Sequence, residues 1–233
     1  MQIKANPSLA IVIPVFNEAK VLPQALTSLA ELSMDSSDSI IFVDGGSTDQ
    51  SIQLIQQHGY QCLHCEAGRA KQMNYGTNNT KSDIILYLHV DTKVSSSEIS
   101  NIKKSYTKGF LSGRFDIMFT NRALTYRIIS FFINFRSRLS KISTGDQAIF
   151  IRRDIFEQIG GYPEIPLMED VAISKALRRL GKIDCLYNKV TTSSRRWEKN
   201  GVVNTVMLMW KMRFLYWCGA EPEKLASMYR NAR

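Results

Sequence analysis

Three observations predict an α/β fold on a mostly parallel, Rossmann-like sheet for this 233-residue sequence. Short apolar runs alternate with helix-periodic segments through the first hundred residues, the pattern of βαβ units. The run Leu9–Val15 is apolar throughout, as a strand covered on both faces requires. Two acidic clusters, Asp44 to Asp49 and His89-Val90-Asp91, begin where apolar runs stop. Open α/β sheets bind their ligands at that strand end.

The elements follow in order. After Leu9–Val15, residues 20–32 read as a helix, with Pro23 acceptable in the first turn, where no backbone N–H is needed. Residues 40–43 form the next strand, and Asp49 or Thr48 caps a helix running through His58. Residues 60–64 read as a strand, 68–79 as a helix and 84–88 as a fourth strand. In the second half, 110–119 is a long strand and 122–141 a basic amphipathic helix. A turn at 144–147 leads into a strand at 148–151. Residues 167–180 form a helix with Glu169 and Asp170 in the first turn and Arg178 and Arg179 in the last, the charge order that complements the helix dipole. Short strands are expected at 183–187 and 190–192. A long apolar helix at 202–218, a break at 219–222 and a short tail helix complete the chain.

Composition narrows the class. Hydrophobic residues at 44% and charged residues at 22% are those of a globular protein, not a disordered one. No signal peptide and no uninterrupted apolar stretch of spanning length is visible, so a cytoplasmic protein is expected. Cys62-Leu63-His64-Cys65 resembles half a zinc site, but no second pair with metal spacing follows. Charge is uneven: residues 1–100 carry 6 basic and 10 acidic side chains, residues 101–233 carry 24 and 11. A basic second half suits a diphosphate, an anionic acceptor or a membrane surface. Nucleic acid is not expected, because no helix-turn-helix, zinc finger or aromatic RNA-binding signature accompanies the charge.

Three acidic stations carry the chemistry. In Asp44-Gly45-Gly46-Ser47-Thr48-Asp49 the carboxylates can accept from a base or a ribose hydroxyl; capping alone would account for Asp49 but not for Asp44. His89 and Asp91, one residue apart at a strand end, leave the same face and could hold Mg²⁺ or Mn²⁺ with positions open for phosphate oxygens. A strand-end turn with a capping Asp is the structural alternative. Glu169-Asp170 either compensates a helix dipole or offers a general base to an acceptor hydroxyl. Arg195-Arg196-Trp197 could counter leaving-group charge, or be a solvated basic turn.

The order of these motifs resembles the family 2 glycosyltransferases of GT-A fold. Pro14-Val15-Phe16-Asn17-Glu18, Asp44 to Asp49, Gly68-Arg69-Ala70 through Asn74, the Asp91 strand end, Met168-Glu169-Asp170, Leu177 to Gly181 and Arg196-Trp197 carry it, from about Leu9 to Trp217. Thr144 to Phe150 and Arg195 to Glu198 are similar to the small transferases called rSAM/selenodomain-associated, or arsenosugar-biosynthesis type. The resemblance implies an inverting, metal-assisted, non-processive transfer of one sugar from a nucleotide-sugar donor to a small-molecule or lipid-linked hydroxyl acceptor, with no organic cofactor. Pro14, Glu18, Asp44, Arg69 and Asn74 would line the donor pocket, with Asp91 on the metal and Arg196 on the diphosphate. Asp170 would be the base with Glu169 beside it, and Gly145, Asp146, Gln147 and Trp197 would shape the acceptor side. It also implies one domain over 1–233, with a nucleotide-binding half (1–100), an acceptor half (101–200) and a helical C-terminal region (201–233). His89 stands where the family usually has Asp, and Ser193 where processive members carry Gln. Two rival classes are a nucleotidyltransferase, which needs a glycine-rich phosphate loop after the first strand, and a non-catalytic basic binding module.

In helix 122–141, Leu124, Ile128, Phe131, Phe132, Phe135 and Leu139 share one stripe, and helix 202–218 carries Trp210, Phe214 and Trp217. Packing of these stripes against the rest of the chain, or in a homodimer, is the preferred reading. Peripheral docking at the inner membrane face is the alternative.

Overall fold

Eight strands of the computed structural model, which describes residues 3–231, join in one sheet. They are β1 (Leu9–Val15), β2 (Ser39–Asp44), β3 (Gln61–His64), β4 (Ile84–Tyr87), β5 (Thr92–Lys93), β6 (Ser112–Phe119), β7 (Phe150–Arg152) and β8 (Ile183–Thr192). Their spatial order is β3-β2-β1-β4-β7-β6-β8-β5. From β3 to β4 every pairing is parallel, and so is β6 with β8. β7 runs antiparallel between β4 and β6, and β5 runs antiparallel beside β8. Strands from both halves of the chain therefore share one sheet.

The helices are α1 (Leu22–Ala30), α2 (Ser51–Gln57), α3 (Arg69–Asn78), α4 (Ser96–Thr107), α5 (Leu124–Ser140), α6 (Arg153–Gln158), α7 (Glu169–Leu180), α8 (Arg195–Asn200), α9 (Val202–Trp217) and α10 (Pro222–Asn231). Side chains of β1 alternate between two cores. Leu9, Ile11, Ile13 and Val15 meet Leu22 and Leu26 of α1 and Ile99 and Ile102 of α4. Ala10 and Val12 meet Met73 of α3, Ile155 of α6 and Ile173 of α7. α3 lies so close to the sheet that a Cβ on its Gly76 would stand 2.5 Å from a Val12 methyl.

Four elements differ from expectation. α4 fills a segment that carried no helix assignment; it starts with a capping box in which Ser95 and Glu98 satisfy each other's backbone. α6 is a short helix in a segment that carried no assignment, and α8 is one where a basic turn is the alternative expected. The two expected strands at 183–187 and 190–192 are one, β8, whose pairing with β6 slips between Phe115 and Asp116.

A further correction concerns α5. Its predicted apolar stripe does not pack on the chain: Leu124, Phe131, Phe132 and Leu139 are each more than 60% exposed. The buried positions are Tyr126, Asn134 and Ser137. The reason lies in β6. β7 pairs only with Ser112 and Gly113, so the rest of that strand edge is open. Asn134 closes it, accepting from Ile117 N at 2.9 Å and donating to Ile117 O at 3.0 Å. Gln147 donates to Phe115 O at 3.4 Å. An open edge needs such polar cover, and the inward face of α5 supplies it.

Beneath α5, Arg114 is fully enclosed. It pairs with Asp116 and donates to Asn134 O at 3.3 Å. The other Asp116 oxygen takes Arg138 Nη2 at 2.7 Å, and Arg138 also donates to Cys185 O and Leu186 O of β8. One carboxylate thus ties β6, α5 and β8 together. None of the described helices is long and apolar enough to cross a membrane. Asp116→Ala should leave the enclosed Arg114 without its counter-charge and cost about 3–5 kcal/mol. A urea midpoint lowered at unchanged slope would report it, and a wild-type midpoint would contradict it.

Candidate active site

The strand ends are prepared before any site is formed on them. Gln72 of α3 donates at 2.8 Å to both Val15 O and Val43 O, pinning the C-terminal ends of β1 and β2. The loops that follow are stitched together by side chains. Asn17 accepts from Thr48 N at 2.8 Å, Ser47 Oγ accepts from Asn17 N, and Asp49 accepts from Ala19 N.

Beyond the end of β4, the chain turns through His89 to Asp91 and meets several other segments at a cavity of about 170 Å³. The 3₁₀ turn Gly145–Gln147 forms one side. The start of α7 forms another. Met168 takes the left-handed backbone conformation (φ 71°), and α7 begins directly after it with Glu169 and Asp170. Arg196 and Trp197 of α8 complete the wall, and Arg69 of α3 enters from the parallel part of the sheet. Nine predicted residues therefore meet here: Arg69, His89, Asp91, Gly145, Asp146, Glu169, Asp170, Arg196 and Trp197.

Their contacts set the electrostatics. Arg69 Nη1 lies 3.2 Å from Glu169 Oε1. Burial works against the Arg69 charge, but Glu169 and Asp170 outweigh it and raise its pKa. Asp170 accepts from Gly145 N at 3.1 Å and from Val171 N at 2.7 Å. Burial, and after it the Glu169 charge, pushes Asp170 up to about 6 against the pull of Arg213, the Gly145 N–H and Arg69. Burial also raises Asp91, with Asp146 adding to the shift and Arg196 opposing it. His89 is driven well below the ordinary imidazole range, by burial first and then by Arg69 and Arg196, and is neutral near pH 7.

Five predicted residues lie outside the cavity. Asp44 is fully enclosed, and its carboxylate accepts from Gly46 N at 2.8 Å and Ser47 N at 3.0 Å within its own turn. Asn74 uses both ends of its amide on the backbone of Tyr162. Gln147 points inward to Ser137 and Thr144. Pro14 is held within β1 beside Val43. Glu18 sits beyond the rim, 3.8 Å from Arg195.

Several cavity residues carry no expected role from sequence. Met209, Met212 and Arg213 come from the inner face of α9, and Tyr229 from α10. Arg196 donates to the Tyr229 hydroxyl at 2.7 Å, so the tail helix is latched to the site. Phe119, at the end of β6, packs edge-on against Trp197 at 5.4 Å. A mid-helix Arg in an apolar helix was the one legible signal: at Arg213 it marks the face that meets the carboxylates.

The residues present fit a divalent cation shared with phosphate oxygens better than a cation held by protein alone. Asp146 Oδ1 is buried without a hydrogen-bond partner, and the Asp146 charge adds to the upward shift of Asp91. Among the described residues, no group of three or more His, Cys, Asp or Glu side chains is placed to hold a metal. The Nε2 edge of His89 presses on Gly145, where an added Cβ would come within 2.3 Å. Asp91, Asp146 and His89 all line the cavity, with the ring edge of His89 packed against Gly145.

Comparisons with known proteins identify the family and the fold. The signature described as Glycosyl transferase family 2 matches residues 10–160. Undecaprenyl-phosphate 4-deoxy-4-formamido-L-arabinose transferase of Serratia proteamaculans (strain 568) is 27% identical over 197 residues, covering 76% of this chain and 59% of that protein. Its counterpart in Photorhabdus laumondii is 27% identical over 133 residues, 53% of this chain and 39% of that protein. The chain thus spans only part of the length of these relatives. Among solved structures, residues 1–349 of S. aureus TarS superpose with a TM-score of 0.65 at 16% identity, covering 86% of this chain and 65% of that one. The mannosyltransferase PcManGT of Pyrobaculum calidifontis, in complex with GDP-Man and Mn²⁺, gives 0.65 at 15% identity, covering 80% and 56%. The fold is of the GT-A type. The chain belongs to glycosyl transferase family 2.

Proposed function

We propose that the enzyme transfers a single sugar, with inversion at the anomeric carbon, from a nucleoside-diphosphate sugar to a hydroxyl acceptor. The observation that carries this reading is Asp170: a carboxylate tuned to about 6, held by the Gly145 N–H, in a cavity it shares with Arg69, Arg196 and Arg213. A general base is most effective when its pKa lies near the working pH.

In the proposed step Asp170 takes the acceptor proton as the acceptor oxygen bonds to the anomeric carbon. The bond from that carbon to the diphosphate oxygen breaks, and the electron pair leaves with the nucleoside diphosphate. Arg196 and Arg213 offset the charge that develops on the departing group, the main electrostatic demand of such a step. Glu169, paired with Arg69, keeps that guanidinium directed into the cavity. A divalent ion, when bound, would neutralise the diphosphate, with Asp91 and Asp146 holding it. The mannosyltransferase PcManGT in complex with GDP-Man and Mn²⁺, and TarS in complex with UDP-GlcNAc, support the donor class. Gly145, Asp146 and Trp197 border the acceptor, Pro14 and Glu18 flank the donor side, and Asp44, Asn74 and Gln147 act through the backbone they hold. Ser193, in place of the Gln of processive members, supports one transfer per encounter. The Thr144 to Phe150 and Arg195 to Glu198 motifs support the arsenosugar-type subgroup.

Asp170→Asn should lower release of nucleoside diphosphate by about 10²–10⁴-fold while donor-induced thermal stabilisation persists. Turnover within a few-fold of wild type would remove Asp170 as the base. Because its folded pKa is raised, ionised Asp170 costs stability as pH climbs from its unfolded value through about 6. The same variant should therefore melt no lower than wild type at pH 8. Wild-type kcat should fall about tenfold per pH unit below about 6, and a flat profile there would contradict the assignment. In a thermal-shift screen of nucleotide-sugars, Mn²⁺ should add to the stabilisation of the wild type but not of Asp91→Asn. An equal Mn²⁺ increment in both would exclude Asp91 as a ligand.

A further inference from the structure

α5 and α9 carry large apolar side chains that nothing in the described chain covers. On α5 the outward residues Leu124, Phe131, Phe132, Phe135 and Leu139 are 56–79% exposed. On α9, Val203, Met207, Trp210, Phe214 and Trp217 recur at spacings of three and four and are 60–76% exposed. The opposite faces of the two helices reach the same core, through Ile129 and Ile133 of α5 and Val206 and Met209 of α9. Exposed patches of this kind mark interaction surfaces.

Charge identifies the occupant. Neither helix contains Asp or Glu. Arg122, Arg127, Lys141 and Lys211 are exposed on the helices or at their ends. Six of the outward side chains are Phe or Trp, counting Phe131, Phe132, Phe135, Trp210, Phe214 and Trp217. An aromatic, apolar band edged by cations fits the headgroup layer of an anionic bilayer. A second copy fits less well, since a two-fold contact between helices without acids sets like charges together. The inner face of α9 also lines the catalytic cavity through Met209, Met212 and Arg213.

We infer that the outward faces of α5 and α9 dock the protein on an anionic phospholipid surface, which brings the cavity to an acceptor carried there. The docking stands by itself; the acceptor part rests on the proposed glycosyl transfer. Vesicle flotation of the full chain, without substrate, tests the docking separately. The protein should float with vesicles of phosphatidylcholine and phosphatidylglycerol in equal parts, less at high salt, and not with phosphatidylcholine alone. Its fluorescence should shift to the blue, because Trp210 and Trp217 are exposed whereas Trp197 is 7% exposed. The double variants F131S/F135S and W210S/F214S should lose flotation while keeping the wild-type melting midpoint and donor-induced stabilisation. Failure of the wild type to float, or flotation of both variants at the wild-type level, would overturn the inference. So would a dimer that both variants break while the wild type ignores lipid. Flotation without any nucleotide-sugar binding would instead sink the transfer reading and leave docking intact.

Discussion

Four carboxylates and three guanidinium groups share one small cavity, and the rest of the site follows from how that charge is balanced. Asp91, Asp146, Glu169 and Asp170 face Arg69, Arg196 and Arg213. Glu169 has a direct partner in Arg69, whereas Asp170 has only backbone donors at hydrogen-bond distance and more remote cations. Two adjacent acids thus differ in character: one is an ion-pair partner, and the other is held by backbone N–H groups with its pKa pushed up to about 6. The same imbalance leaves Asp146 with a bare buried oxygen beside Asp91. Under the proposed transfer, phosphate, cation and acceptor would complete this balance.

That balance depends on distant segments. The donor side rests on strand ends clamped by Gln72, and the acid pair rests on the left-handed turn at Met168. α9 and α10 bring Arg213 and Tyr229 from the far end of the chain. The C-terminal helices are therefore part of the cavity wall, and α9 serves two surfaces at once. Its inner side touches the carboxylates, and its outer side is apolar and bare.

Much of the sheet was legible because parallel strands covered on both faces read as apolar runs; β1, β2 and β4 fall within a residue or two of expectation. α4 was missed although Ser95 and Glu98 signal a capping box and Ile99, Ile102 and Tyr106 recur at helical spacing. α5 shows the limit of periodicity. Its apolar stripe was read as the buried one, yet an unpaired β6 edge demanded Asn134 and Gln147, and strand pairing across β7 cannot be seen in a linear pattern. The site divides along the same line. Residues at strand ends and helix starts, such as Asp91, Glu169 and Asp170, line the cavity, because strand ends and helix starts converge there. Asp44 and Asn74 have the right type and place, but local backbone donors and acceptors take up their side chains. Arg213 and Tyr229 were not assigned to the site, since only the fold of the last thirty residues brings them back.

The central claim is that one cavity holds the diphosphate and the base on opposite sides of a single sugar. A crystal structure with an intact nucleotide-sugar tests it most directly. The account predicts the diphosphate between Asp91 and the Arg196–Arg213 side, with the anomeric carbon open to an oxygen held by Asp170. A donor bound on another surface, or with its anomeric carbon turned away from Asp170, would contradict it.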